Sequence, residues 1–250
     1  MSRGIVWQGR WMTACNEEYR LRTLCRIVSA WRRASHKSNE PMWVFDVGAN
    51  LGTFTLPLLA AGVNVASFEA DPNNAAQLRG SIAAQRELAA PNADLLGASY
   101  VVEGVLSESI GQEVCLGAEQ ATNFGSVRVL TGAGSSACAA QRVRTTTLDV
   151  TIDALRAFQN SQLTMPAVPP GRPLRIVAMK CDVQGYEAFV FGGASRLLRE
   201  SAPDTIFVET TNQSLLGALS HSYGYVQRGK YKDGCDANVR LERQHFAGAS

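Results

Sequence analysis

The stretch VFDVGANLGTFTL, Val44 to Leu56, opens on buried-type residues, breaks at two glycines flanking an asparagine, and resumes as an apolar run. That break reads as a strand turning straight into a helix, with Asp46 at the strand's end and Gly48, Asn50 and Gly52 in the turn. Glycine permits backbone angles and close approaches that a Cβ forbids, and a helix N-terminus presents unpaired N–H groups. Open α/β sheets bind ligands beyond the carboxyl ends of their strands, so this turn is predicted to cradle a polar ligand. Pro57 falls early in the helix, which requires Thr53 or Thr55 to cap a late start.

Outward from this turn, strand-like and helix-like stretches alternate, the pattern of a parallel sheet covered by helices on both faces. Strands are predicted at Trp43 to Val47, Asn64 to Glu69, Tyr100 to Val105, Leu174 to Cys181 and Thr205 to Glu209. Helices are predicted at Thr53 to Ala61, Asn73 to Leu88, Leu148 to Gln159, Glu187 to Arg199 and Gln213 to Ser220, with strand-like pieces after Tyr223. Val114 to Leu116, Ser126 to Leu130 and Arg142 to Thr146 read as extra strands, separated by the Gly/Ala/Ser-rich TGAGSSACAA at 131–140. The four prolines of MPAVPPGRP, Met165 to Pro173, mark a surface loop.

A chain of 250 residues, 46% hydrophobic and 18% charged, suits one large domain and excludes disorder as its main state. No apolar run approaches the roughly 20 residues of a membrane helix, so no integral membrane segment is expected. Residues 1–40 carry seven Arg and one Lys against three Glu. Asn16 reads as an N-cap before Glu17 and Glu18, and Leu21, Leu24, Cys25, Val28 and Trp31 recur at helical spacing. This basic segment is therefore expected to be a helix packed on the domain at 41–250; an organelle-targeting segment and a nucleic-acid patch are the alternatives. The six cysteines lack Cys-x-x-Cys spacing and nearby histidines, which points to buried free thiols and a cytoplasmic setting.

The second predicted strand ends in SFEADP, placing Glu69 17 residues past Gly52 at the neighbouring strand's carboxyl end. A carboxylate there can accept from both hydroxyls of a nucleoside ribose. A dinucleotide-binding turn would read Gly-x-Gly-x-x-Gly, whereas this one reads Gly-x-Asn-x-Gly, with Phe54 and Thr55 where the last glycine belongs. Asp46 before the turn suits an amino group, which the amino-acid end of S-adenosylmethionine carries and a pyrophosphate lacks. A methyl donor is favoured over a nicotinamide cofactor.

FDVGANLGTFTLPL, FEADPNN, TTTLD and MKCDVQGYEAFVFGGASRLL, in that order, resemble the FkbM-type S-adenosylmethionine-dependent methyltransferases from about Val44 to Glu209. The resemblance implies the class I methyltransferase fold, a Rossmann-like, doubly wound, mostly parallel seven-stranded sheet. It also implies methyl transfer to a hydroxyl oxygen. Where that family commonly reads Asp-x-Glu-Gly, this chain has Gln184 in place of the Glu.

Methyl transfer needs an aligned acceptor, a dry site and a group to handle one proton. Asp182, ending RIVAMKC, is the first candidate, on a strand expected to neighbour the first across the topological switch. Glu209, ending the next strand, is the second candidate for the same cleft. Each could instead cap the helix that follows it. Asp149 reads as a first-turn helix residue and Lys180 as a strand residue that snorkels or pairs with a carboxylate rather than acting chemically. TNFGS around Asn123 resembles a family turn facing the pocket. Two adjacent carboxylates also permit Mg²⁺, although no ligand set is assignable. The expected acceptor is a small molecule or carbohydrate rather than nucleic acid. A non-catalytic cofactor-binding protein and a Rossmann-type oxidoreductase are the rival readings.

Overall fold

The computed structural model describes residues 6–7, 10–11, 14–37, 40–118, 127–130, 141–162, 165, 167–169, 172–230 and 238–244. Asn123, the Gly/Ala/Ser-rich stretch at 131–140 and His245 lie outside the described residues, as do Cys138 and Cys235. A two-residue ribbon, β1 (Val6–Trp7) with β2 (Arg10–Trp11), precedes α1 (Ala14–Ser35). The alternating part then runs β3 (Met42–Val47), α2 (Thr55–Ala60), β4 (Val65–Glu69), α3 (Pro72–Ala89) and β5 (Ser99–Glu103). β6 (Val105–Leu106), β7 (Glu113–Ala118), β8 (Val127–Leu130) and β9 (Gln141–Thr146) come next. The chain finishes with α4 (Leu148–Ser161), β10 (Arg175–Cys181), α5 (Glu187–Gly192), α6 (Ser195–Glu200), β11 (Thr205–Glu209), α7 (Gln213–Tyr223), β12 (Tyr225–Lys230) and β13 (Asn238–Arg243).

The seven-stranded sheet has the order β12-β13-β11-β10-β3-β4-β5. β11, β10, β3, β4 and β5 pair in parallel, and β13 runs antiparallel to both of its neighbours. Successive strand residues point to opposite faces, and the core divides accordingly. Val44, Val65, Ala178 and Phe207 pack with Ile27, Leu58, Leu59, Leu78 and Ile82 from α1, α2 and α3. Phe45, Ala66, Met179, Ile206 and Val208 pack against α4 to α7 through Leu148, Ile152, Val190, Leu198 and Leu219. This is the doubly wound, mostly parallel architecture that the family resemblance implies. The order reverses between β3 and β10, so the carboxyl ends of those strands open a crevice.

Several sequence expectations need correction. The helix expected over Glu187 to Arg199 is two helices, because a Cβ on Gly193 would lie 2.0 Å from the Ser107 carbonyl oxygen and the chain bends there. The strand expected over Tyr100 to Val105 divides at Gly104, whose φ of 136° redirects the chain. β6 beyond it joins the second sheet, of order β6-β9-β7-β8. α1 begins at Ala14, so Asn16 lies inside it rather than at its N-cap. Its buried positions are Thr23 and Ile27, whereas Leu21 and Cys25 face solvent. Cys181 is a buried free thiol, Cys25 an exposed one, and Cys115 is disulfide-bonded, against the expectation of buried free thiols throughout. Among the described residues no helix is long and apolar enough to cross a membrane.

Candidate active site

A cavity opens at the β3/β10 reversal, lined by Gly48 and Asn50 after β3, Glu69 at the end of β4, Leu106 of β6, and Lys180 and Asp182 at the end of β10. Asp46, Gly52 and Glu209 do not line it. Register explains Asp46: it sits beside Ser67 on β4 and Lys180 on β10, facing α2. Its side chain is 1% exposed, accepts from the Thr55 hydroxyl at 2.7 Å, and lies 3.4 Å from Lys180 Nζ. The amino-group role read from the sequence is therefore corrected: Asp46 anchors α2 and Lys180 beneath the cavity. Thr55 Oγ1 also lies 2.8 Å from Ser67 Oγ, which is why Thr55 does not cap α2. Pro57 is tolerated because it stands in the first turn, where its N–H has no helical partner to lose. Thr55→Val should cost about 1–3 kcal/mol of unfolding free energy by leaving a buried carboxylate short of a donor, measurable by urea denaturation.

The loop after β3 is not an open row of donors. The N–H groups of Gly48 and Ala49 both donate to Phe68 O, that of Gly52 donates to Ala49 O, and that of Leu51 donates to Asn50 Oδ1. The Asn50 N–H donates to Glu69 Oε2 at 2.7 Å, while Glu69 Oε1 accepts from Asp71 N–H at 2.9 Å. Glu69 thus clamps the loop and still borders the cavity. Burial pushes its carboxyl above the ordinary glutamate range, against the pull of those two N–H groups. Gly52 does not line the cavity; it holds φ 92°, a left-handed backbone that favours glycine, and a Cβ there would meet Leu78 Cδ1 of α3 at 2.6 Å.

Lys180, 4% exposed, donates to Gly48 O at 2.8 Å, lies 3.8 Å from Asp182 Oδ2, and places Nζ 5.3 Å from the Phe54 ring centre. Burial opposes its charge, but Asp46 and Asp182 outweigh that and hold its pKa above the ordinary lysine value. Tyr19 of α1 meets Phe54 edge-on, with ring centroids 6.4 Å apart, so the N-terminal helix buttresses this corner.

Asp182 is not a helix cap. The turn's N–H groups at Val183 and Gly185 donate to Glu187 Oε1, and α5 has no side-chain cap. Asp182 Oδ1 accepts instead from Gln184 Nε2 at 2.8 Å, with Gln184 held at φ 56°. Burial works against the Asp182 charge, yet Lys180, Glu209 and Gln184 together hold its carboxyl below the ordinary aspartate range. Asn212 Oδ1, not Glu209, accepts the Leu215 N–H at the start of α7, and Glu209 reaches the Asp182 side chain from β11. Asp149 receives the N–H groups of Arg196 and Leu197, which makes it an anchor for α6. Among the described residues no group of three or more His, Cys, Asp or Glu could hold a metal ion, so the Mg²⁺ reading goes no further.

Sequence reasoning missed Phe54, Tyr186, Leu116 and Val129, which also line the cavity. Tyr186 stacks on Phe189 with centroids 4.3 Å apart and pairs its hydroxyl with Ser107 at 3.2 Å. Leu116 and Val129 arrive from the second sheet, and no local pattern predicts which face of an inserted hairpin covers the crevice.

A sequence profile described as the methyltransferase FkbM domain matches residues 46–225, which includes the whole cavity floor. The chain belongs to the FkbM methyltransferase family. No curated protein matches it significantly. Solved structures similar to this FkbM-family chain include magnesium protoporphyrin IX methyltransferase from Synechocystis PCC 6803 with bound SAM, at 10% identity and TM-score 0.44, covering 94% of this chain and 86% of that one. The N-terminal domain of human METTL16 in complex with SAH aligns at 14% identity and TM-score 0.46, over 89% of this chain and 68% of that one. Precorrin-6y C5,15-methyltransferase from Geobacter metallireducens aligns at 9% identity and TM-score 0.40, over 89% and 87%.

Proposed function

We propose that this FkbM-family chain transfers a methyl group from S-adenosylmethionine to a hydroxyl oxygen of a small molecule or sugar. The observation that carries the reading is one cavity bordered by Glu69 at the end of β4 and by Asp182 at the end of β10. The lining fits the donor part by part. Glu69 offers a carboxylate to the ribose hydroxyls, Phe68, Val105, Leu106 and Leu116 offer an apolar wall to the adenine, and the Gly48 to Asn50 backbone leaves room for the amino-acid end.

The donor supplies an electrophilic methyl on a sulfonium: the C–O bond to the acceptor forms as the C–S bond breaks, and the electron pair returns to sulfur. Asp182 receives the acceptor's proton. It is ionised because Lys180 holds it so, and Gln184 fixes its Oδ1. Lys180 stays charged and keeps Gly48 against β10. The apolar wall excludes water that would otherwise screen these charges.

Glu69→Ala is expected to weaken S-adenosylmethionine binding by about 1.5–3 kcal/mol, the loss of hydrogen bonds to a charged acceptor. Titration calorimetry measures this, and a thermal melt separates it from loosening of the Asn50 loop that Glu69 also holds. Unchanged affinity in a folded variant removes Glu69 from the donor site.

A further inference from the structure

A second cavity, of ≈ 380 Å³ against ≈ 140 Å³ for the first, lies beside it. Gln184 lines both. Asp182 borders the first cavity and Glu209, which ends β11, borders the second, while Gln184 between them donates to Asp182 Oδ1 at 2.8 Å. The two cavities therefore meet at Gln184 and the carboxylate it holds. In-line transfer puts donor and acceptor on opposite sides of the moving methyl group, with the proton-accepting carboxylate within hydrogen-bond reach of the acceptor oxygen. A donor in the first cavity leaves the second as the side from which the acceptor approaches.

We infer that the second cavity is the acceptor site and that it takes a polyhydroxylated molecule of monosaccharide size. This rests on the donor reading above. The lining carries the substrate class: Gln184, Glu209, Thr210, Thr211, Asn212 and Arg128 all present hydrogen-bonding groups. Among the described residues no aromatic ring and no large aliphatic side chain lines it. An apolar or aromatic acceptor would strip water from these groups without replacing its hydrogen bonds, whereas a polyol replaces them one for one. In the transfer, the hydroxyl nearest Asp182 forms the new C–O bond, the C–S bond of the donor breaks with its electron pair going to sulfur, and the hydroxyl proton passes to Asp182. Glu209 is then a positioning residue, holding Asp182 from the acceptor side.

The test uses the full chain, S-adenosylmethionine labelled in its methyl group, and two acceptor pools at equal concentration, one of hexoses, pentoses and methyl glycosides and one of phenols and catechols. Ala188 is exposed and lines the second cavity, so Ala188→Trp should fill it; Thr211→Tyr is the companion should the first variant fail to fold. The expected result is label on the sugar pool only, at least tenfold lower in the filled variant, with donor affinity within twofold of wild type by calorimetry. Label on the phenol pool, an unlabelled sugar pool, or an undiminished rate in both folded variants overturns the inference. Donor binding without sugar labelling sinks only the acceptor assignment, and absent donor binding sinks the proposed function with it.

Discussion

Asp182→Asn should lower methyl transfer about 10²- to 10⁴-fold while leaving S-adenosylmethionine affinity nearly unchanged. Asn keeps the shape and can still accept from Gln184, so the substitution removes the base together with the charge that faces Lys180. Were Asp182 a helix cap, Asn would serve about as well and the rate would hold; the Glu187 bonds to Val183 and Gly185 already fill that role. Stability gives an independent reading. A carboxyl with a depressed folded-state pKa stabilises the fold above its ordinary value of 3.8, and that contribution is lost as pH falls through the depressed value. The stability gap between wild type and Asp182→Asn should therefore be widest near neutrality and close in acid, as urea titrations across pH would show. Full transfer activity in the folded variant removes Asp182 from the chemistry.

Gly48→Val should cost about 3–5 kcal/mol of stability and abolish donor binding. Gly48 has φ 79°, where a β-branched residue is strained by about 1–2 kcal/mol. Its Cβ would also stand 1.9 Å from the Asp182 carbonyl oxygen and 2.9 Å from the carbonyl carbon. Backbone is on both sides of that contact, so relief means parting β3 from β10, at a further 2–3 kcal/mol or so, the upper part of the usual overpacking range. The parting would also displace Lys180, which donates to Gly48 O. At roughly 2–4 °C per kcal/mol for a domain of this size, the melting temperature should drop by about 6–20 °C. A Gly48→Val protein with wild-type melting and donor affinity would show that neither the left-handed turn nor the close strand crossing is needed.

The sheet was legible because each central strand carries a dense apolar run punctuated by glycine, asparagine or an acid. Thr205–Glu209 has the bounds read from the sequence, and β10 does neighbour β3 across the reversal. Boundaries failed where a distant backbone decided them, as at Gly193 against Ser107. The site was partly legible for the same reason. Residue types at strand ends mark a ligand crevice, and Gly48, Asn50, Glu69 and Asp182 do border one cavity. Sequence spacing alone does not say which acid faces ligand and which faces protein. Asp46 turned inward because its register partner is Lys180, and Gly52 turned toward α3 because Leu78 closes on it. The predicted row of free N–H groups failed because Phe68 O, Asn50 Oδ1 and Glu69 satisfy them locally.

A donor site between Gly48, Glu69 and Asp182 underlies both proposed steps, and titration calorimetry of the wild-type chain with S-adenosylmethionine tests it most directly. The predicted result is saturable binding at a single site per chain, weakened in Glu69→Ala, preserved in Asp182→Asn and not displaced by NADH. A folded wild-type chain that gives no binding heat with S-adenosylmethionine, or that binds NADH in its place, contradicts it.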